Sequence, residues 1–188
     1  MGSLASDTGM RETSRLLFPG CFLGTNSITL DISKVLYNNI YTWSSNQMFM
    51  FKSNGGNGTV SEVTLQNFIG HSNAYSLDLN AYWSSISTTA GDGILYTDIT
   101  FDNWKGTCSA GATRAPINVI CPDDNPCTAI TITDFAMWTD TGSTELYKCA
   151  NAWGNGGCLR HGSEHTSYGS TTSTIAAAPL VLPPCIQS

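Results

Sequence analysis

A single lysine at the end of an apolar strand is the first candidate for binding chemistry. Residues 48–51 read Met-Phe-Met-Phe, Lys52 follows them, and the chain then turns through asparagine and glycine. An ammonium group fixed at a strand end can hold a carboxylate or another anion. The residues alone favour a simpler interpretation, a solvated lysine, so the case for an anion site depends on what surrounds Lys52.

The acidic residues are predicted to be structural rather than catalytic. Four aspartates fall in loops or at strand corners: Asp92, Asp98, Asp102 and Asp134. Asp123 and Asp124 are neighbours within a short loop bounded by cysteines, where we interpret them as solvated. No pair of these residues is assigned as a catalytic acid and base.

The histidines predict no metal site. His161 and His165 are four residues apart, a spacing that places two ligands on one face of a helix. Gly162 and the run of Ser and Thr that follows disfavour such a helix, and His71 lies in a separate polar loop. The cysteine spacings do not match a zinc motif either, so we predict no metal site.

Seven cysteines favour an oxidising compartment over the cytosol. Two close pairs are predicted to form short disulfide loops: Cys121 with Cys127, and Cys149 with Cys158. Three cysteines have no assigned partner: Cys21, Cys108 and Cys185. Asn57 begins an Asn-Gly-Thr tripeptide, an N-glycosylation acceptor if the chain is secreted. The first ten residues are polar, however, so the sequence predicts no signal peptide.

The composition limits the classes of fold and partner. Charged residues make up 12% of the 188 residues and Thr, Ser, Asn and Gly are abundant, which favours strands joined by turns over a helical bundle. A net charge of -6, with only 8 Lys and Arg residues, offers no basic face for nucleic acid. No apolar run reaches the roughly 18–20 residues that a membrane span requires.

Four segments share one alternating pattern of apolar and polar residues. They begin at Ile32, Val60, Tyr96 and Cys127, and each carries Asn or Asp at its eighth position. The recurring residue lies 28, 36 and 31 residues from one unit to the next, at Asn39, Asn67, Asn103 and Asp134. Alternation with period two indicates strands, and a short polar side chain at a fixed place is typical of a tight corner.

A repeat of this kind, with two or three short strands in each unit, predicts a solenoid. We therefore predict an all-β fold, a right-handed parallel β-helix. The alternative is an antiparallel sandwich or jelly roll, in which turn signals would be closer and hairpin dipeptides would join matched strands. The Asn-Gly pairs at Asn54, Asn57 and Asn155 lie in loops instead.

Five long stretches resemble the C-terminal half of fungal rhamnogalacturonan hydrolases, which are members of glycoside hydrolase family 28. They read YTWSSNQMFMFKSNGGNGTV, NAYSLDLNAYWSS, AGDGILYTDITFDNWKGT, GATRAPINVICPDDNPCT and WTDTGSTELYKCANAWGNGGC. The resemblance covers residue 32 to about residue 178 and extends to residues 1–8. It implies the pectin-lyase-like form of the right-handed β-helix, truncated at the N-terminus.

The resemblance also implies a reaction, the inverting hydrolysis of galacturonate–rhamnose bonds in rhamnogalacturonan, without a cofactor. Inversion requires a carboxylic acid and a carboxylate base about 6.5–9.5 Å apart. The family's catalytic aspartates precede the strand with which this chain begins. The resemblance therefore assigns no catalytic residue here and implies an inactive fragment, the alternative being a non-catalytic carbohydrate-binding β-solenoid.

One residue receives a substrate-binding role from the resemblance, and two more are candidates because they lie on the equivalent strand of the next coil. Lys52 matches a lysine that contacts a substrate carboxylate, and Met50 stands where polygalacturonases carry an arginine, which suits a substrate with fewer acidic sugars. The next coil offers Asp78 and Tyr82; an aromatic ring such as that of Tyr82 or Trp83 can stack on a sugar or pack in the fold. The implied protein is a secreted monomer, and its partner is the pectic polysaccharide.

The chain is predicted to divide into four segments. Residues 1–8 match a strand of a preceding coil, residues 31–160 are β-helix coils, and residues 161–188 are a polar, flexible tail. Residues 9–30 have no counterpart in the family. One hypothesis is a translated intron, because the residues at its two ends can be encoded by splice signals, and the alternative is a functional insertion loop.

Overall fold

The computed structural model describes residues 29–108, 115–139, 145–162 and 166–175, and every regular element among them is a β-strand. The strands are β1 (Thr29–Trp43), β2 (Gln47–Lys52), β3 (Gly55–Asn73), β4 (Tyr75–Asn80), β5 (Thr89–Cys108), β6 (Ile117–Ile120), β7 (Cys127–Thr139), β8 (Glu145–Ala150), β9 (Ala152–Asn155) and β10 (Thr171–Ile175). Within these ranges there is no helix of the length and apolarity needed to cross a membrane. Residues 1–8 and most of segment 9–30 lie outside the described residues.

The strands form two five-stranded sheets. The first sheet has the order β1-β3-β5-β7-β9 and the second the order β2-β4-β6-β8-β10. Neighbouring strands are parallel throughout the first sheet and from β2 to β8 in the second. The chain therefore alternates between the sheets, and each pass lies beside the previous one. This confirms the predicted all-β parallel β-helix and excludes the antiparallel sandwich.

The sequence repeat corresponds to the register of the first sheet. Ile32 pairs with Val60, and Val60 pairs with Tyr96, so the first residues of three repeat units lie side by side. The fourth unit keeps the same register, with Ile99 opposite Ile130. A slip of one residue would turn every inward side chain to the surface, so the apolar pattern specifies this register.

The recurring Asn or Asp lies at a corner of each coil. These residues adopt left-handed backbone with φ between 47° and 60°: Asn39, Asn67, Asn103 and Asp134. The side-chain amide of Asn103 donates to Oδ1 of Asn67 at 2.6 Å, and that of Asn67 donates to Oδ1 of Asn38 at 2.8 Å. Asparagine thus tolerates the backbone conformation and also links one coil to the next.

The sequence pattern does not predict a second corner, five residues before the first. It also has left-handed backbone, with φ between 51° and 61°, at Lys34, Glu62, Asp98 and Ala129. The four residues are of four different amino-acid types, and three of them have little preference for left-handed backbone. The position is therefore imposed by the winding of the coil rather than by local chemistry.

Stacked aromatic rings fill the core between the sheets. The fully buried ring of Trp104 lies 4.3 Å from the ring of Phe68 and 6.1 Å from that of Phe135, measured between centroids. Its indole N–H donates to the carbonyl oxygen of Leu65 at 3.0 Å. The inward residues of β1 are less buried and pack at the margin of this core: Ile32, Val35, Tyr37 and Ile40.

Part of the segment predicted as a flexible tail packs onto the last coils. Tyr168 is buried, its hydroxyl donates to the carbonyl oxygen of Ala152 at 2.6 Å, and its N–H donates to Oδ1 of Asn151. Further along, β10 pairs antiparallel with β8. The difference has a physical reason, because one aromatic residue anchors the segment and β-branched threonines suit an edge strand.

Candidate functional site

The outer face of the second sheet carries two of the predicted site residues. Alternation along β2 points Phe51 into the core, so Lys52 takes the opposite face. Met50 pairs with Asp78, and Lys52 pairs with Asn80. The structure therefore brings Lys52 and Asp78 onto the same face of neighbouring strands.

Lys52 extends from the end of β2 over an indole ring. Its Nζ lies 4.2 Å from the centroid of the Trp83 ring, which is a cation–π contact. The N–H of Trp83 donates to the carbonyl oxygen of Ser53 at 2.9 Å, so the turn after β4 is fixed to the end of β2. Trp83 had been predicted either to stack on a sugar or to pack in the fold. In the structure its ring orients the half-buried side chain of Lys52.

Tyr82, the residue before Trp83 in the chain, presents an exposed ring. Its side chain is 47% exposed, and its hydroxyl accepts a hydrogen bond from the backbone N–H of Asp123 at 2.8 Å. Its own N–H donates to Oδ1 of Asn80 at 2.9 Å. Partial burial raises the pKa of Tyr82, the hydrogen bond from Asp123 lowers it, and the negative charges of Asp123 and Asp124 raise it. An aromatic ring held in this way can stack on a sugar.

Asp78 is buried although it belongs to the outer face. Its side chain is 3% exposed, and the amide of Asn118 on β6 donates to its Oδ1 at 2.7 Å. Burial raises the pKa of Asp78 to about 6, while the hydrogen bond from Asn118 and the positive charge of Lys52 favour the carboxylate and limit the rise. Asp78 is therefore coupled to Lys52 electrostatically but offers little surface to a ligand.

The loop that carries Asp123 and Asp124 is closed by a disulfide and anchored to the next coil. The structure contains both disulfides expected from the sequence, Cys121–Cys127 and Cys149–Cys158. The first of them closes this loop. The amide of Asn151 donates to Oδ1 of Asp123 at 2.6 Å and to the carbonyl oxygen of Cys121 at 3.2 Å. The position of the loop beside Tyr82 is thus set by covalent and polar links.

Sequence reasoning did not bring Asn118 or Asp123 into the site. Asn118 is 40 residues from Asp78, and Asp123 is 41 residues from Tyr82, so only the stacking of coils makes them neighbours. Asn118 could have been found from the sequence repeat, because it lies opposite Asp78 in the register of neighbouring strands. Aligning the second strand of each repeat unit would have found that pair.

The other predicted modification and cysteine positions lie outside this face. Asn57 is half-buried, and its Oδ1 accepts a hydrogen bond from the N–H of Asp92 at 3.3 Å. Its glycosylation stays a prediction. Cys108 is buried, and Cys21 and Cys185 fall outside the described residues.

The histidines are likewise separate from the Lys52 face. His71 stacks on Trp43 with 3.8 Å between ring centroids, and His161 is exposed. His165 lies in a range that the structure does not describe. In the described part of the chain, no three His, Cys, Asp or Glu side chains are grouped to hold a metal ion.

Comparison with known proteins identifies close relatives. Over 160 residues, or 85% of this chain, it is 59% identical to "Probable rhamnogalacturonase B" of Neosartorya fischeri, covering 31% of that protein. It is 58% identical over the same length to "Rhamnogalacturonase A" of Aspergillus aculeatus and 54% identical to "Rhamnogalacturonase A" of Aspergillus niger, covering 36% of each. The chain spans about a third of the length of these relatives.

A family match covers most of the chain. It extends over residues 24–158 and carries the description Glycosyl hydrolases family 28. The match begins at residue 24, inside the segment 9–30 that was predicted to be an insertion. The last residues of that segment also belong to β1, which begins at Thr29. This chain belongs to the glycosyl hydrolases of family 28.

Proposed function

We propose that this chain forms the substrate-holding face of a rhamnogalacturonan-degrading glycoside hydrolase, an enzyme that cleaves galacturonate–rhamnose bonds with inversion. None of the acids in the chain serves as the catalytic acid or base, and the chain by itself binds the polysaccharide without cutting it. The relatives whose names specify rhamnogalacturonase support the substrate class.

The observation that carries the proposal is the arrangement of Lys52, Trp83 and Tyr82. The Lys52 cation lies over the ring of Trp83, and the preceding residue, Tyr82, exposes a second ring. A pectic chain offers carboxylates to an ammonium group and apolar sugar faces to an aromatic ring. The three side chains therefore match two chemical features of one ligand.

Asp78 supports this site from a buried position. Its ionised form stabilises the positive charge of Lys52, and its pKa of about 6 means that the pair loses this support as the solution becomes more acidic. The role of Asp78 is to position and tune Lys52, while Tyr82 contacts the sugar directly.

The protein acts outside the cell as a monomer in this proposal. Two disulfides in the described part of the chain agree with an oxidising compartment, and pectin is a cell-wall polymer.

The Lys52→Met variant tests the proposed site. Methionine keeps an unbranched apolar stem against Trp83 but removes the charge, so we expect about fivefold weaker binding of rhamnogalacturonan oligosaccharides, the effect of a half-exposed ion pair worth about 1 kcal/mol. Isothermal titration calorimetry measures the affinity. The matched control is Lys105→Ala, which removes an exposed lysine from the first sheet and should leave binding unchanged.

Two results would contradict the proposal. Equal affinities of Lys52→Met and Lys105→Ala would remove Lys52 from the binding site. Release of reducing ends from rhamnogalacturonan by the 188-residue chain would show that it contains the catalytic acids after all.

A further inference from the structure

We propose that Asp123 and Asp124 make the site selective for a chain that alternates acidic and neutral sugars, by repelling an acidic sugar from the ring of Tyr82. The inference rests on the proposed function and adds a determinant of specificity to it. The ligand class is an alternating uronate–neutral sugar oligosaccharide, and the excluded competitor is a polymer with a carboxylate on every sugar.

Groups of opposite charge lie near two consecutive aromatic residues. At the positive end of this stretch, Nζ of Lys52 lies 4.2 Å from the centroid of the Trp83 ring. At the negative end, the hydroxyl of Tyr82 lies 2.8 Å from the backbone nitrogen of Asp123, in the loop with the exposed Asp123 and Asp124. A ligand that contacts both Trp83 and Tyr82 therefore has a positive group near one residue and negative groups near the other.

The negative end cannot easily withdraw from the ligand. The Cys121–Cys127 disulfide closes the loop, and Asn151 of the next coil holds both Asp123 and the carbonyl oxygen of Cys121. Preorganised charges act on a ligand without a reorganisation cost. These links hold the backbone of Asp123 at the Tyr82 hydroxyl, so both acids stay close to this ring.

The two sugar types interact differently with this end. A neutral sugar stacks its apolar face on Tyr82 and donates its hydroxyls to the carboxylates. A uronate at the same place would bring a third negative charge to the acids, and like charges at close range discriminate against a ligand more effectively than lost contacts do. Lys52, by contrast, accepts the uronate at the other end.

The experiment compares an alternating galacturonate–rhamnose oligosaccharide with an oligogalacturonide of equal length. Affinities are measured by calorimetry for the wild-type chain, Asp124→Asn and the Asp123→Asn/Asp124→Asn double variant. We expect the single variant to bind the oligogalacturonide about threefold more tightly and the double variant about tenfold, as partly screened charge pairs allow. Affinity for the alternating ligand should change less than about twofold, and 1 M salt should abolish the gain.

The matched control is Asp134→Asn, which removes one negative charge at a corner of the first sheet and keeps a residue type suited to left-handed backbone. If Asp124→Asn binds the oligogalacturonide no better than Asp134→Asn does, the selectivity role is wrong, although the Lys52 site stands. If the wild-type chain binds neither oligosaccharide, the proposed function fails and the selectivity inference fails with it. Thermal melting of each variant verifies folding.

Discussion

Replacing Trp104 by alanine is expected to lower the free energy of unfolding by about 4 kcal/mol, the largest effect of any single change considered for this protein. The ring is fully buried between Phe68 and Phe135, and its indole N–H donates to the carbonyl oxygen of Leu65. Alanine would leave a cavity in the middle of the aromatic stack and remove the hydrogen bond to Leu65. Urea denaturation followed by circular dichroism measures the change.

Two further variants separate the contributions. Trp104→Phe keeps a stacked ring but loses the hydrogen bond to Leu65, so we expect a loss of about 1–2 kcal/mol. Trp43→Ala is the surface control, because Trp43 is 48% exposed and contacts His71 at the margin of the first sheet. A Trp104→Ala loss no larger than that of Trp43→Ala would contradict the assignment of Trp104 to the core.

The second large effect concerns the pH dependence that Asp78 gives to stability. Its folded-state pKa is raised to about 6 from the ordinary value of 3.8. Below the ordinary value both states are protonated, so the favourable contribution of the neutral acid is fully present. As pH rises toward about 6, the unfolded chain loses the proton first, and stability falls by up to about 3 kcal/mol at 1.36 kcal/mol per pH unit.

The Asp78→Asn variant should remove this part of the pH dependence. Asparagine cannot ionise, and its Oδ1 can still accept the hydrogen bond from Asn118. We expect the variant to gain stability relative to the wild-type chain between pH 4 and pH 7, with the free energy of unfolding measured in urea at each pH. The Asp134→Asn control should retain the wild-type slope. Identical slopes for Asp78→Asn and the wild-type chain would contradict the raised pKa.

The corners and register of the coil show how far local sequence determines this fold. Asn67 and Asn103 were predictable as corners because few side chains tolerate left-handed backbone, and the apolar pattern set the register. Glu62 and Ala129 were not predictable, since nothing in their chemistry prefers that conformation. Tyr168 was also missed, because its burial depends on groups 16 and 17 residues away.

The candidate site also contains residues that the sequence identified and residues that it did not. Lys52 was singled out by its position at a strand end and by the family resemblance, and in the structure it lies on the outer face of the second sheet. Asp78 was proposed as a substrate-binding residue, yet its side chain is only 3% exposed. Its environment depends on Asn118, one coil further on, and the environment of Tyr82 depends on Asp123 in the same way. Such contacts exist only once the coils are stacked.

The most direct test of the account is the structure of this chain in complex with an alternating galacturonate–rhamnose oligosaccharide. We predict a uronate carboxylate about 3 Å from Nζ of Lys52, as in a charge-assisted hydrogen bond, and a rhamnose ring stacked on Tyr82. An oligosaccharide bound elsewhere, for instance on the exposed face of Trp43, with no contact to Lys52, would contradict the claim that this face of the β-helix holds the substrate.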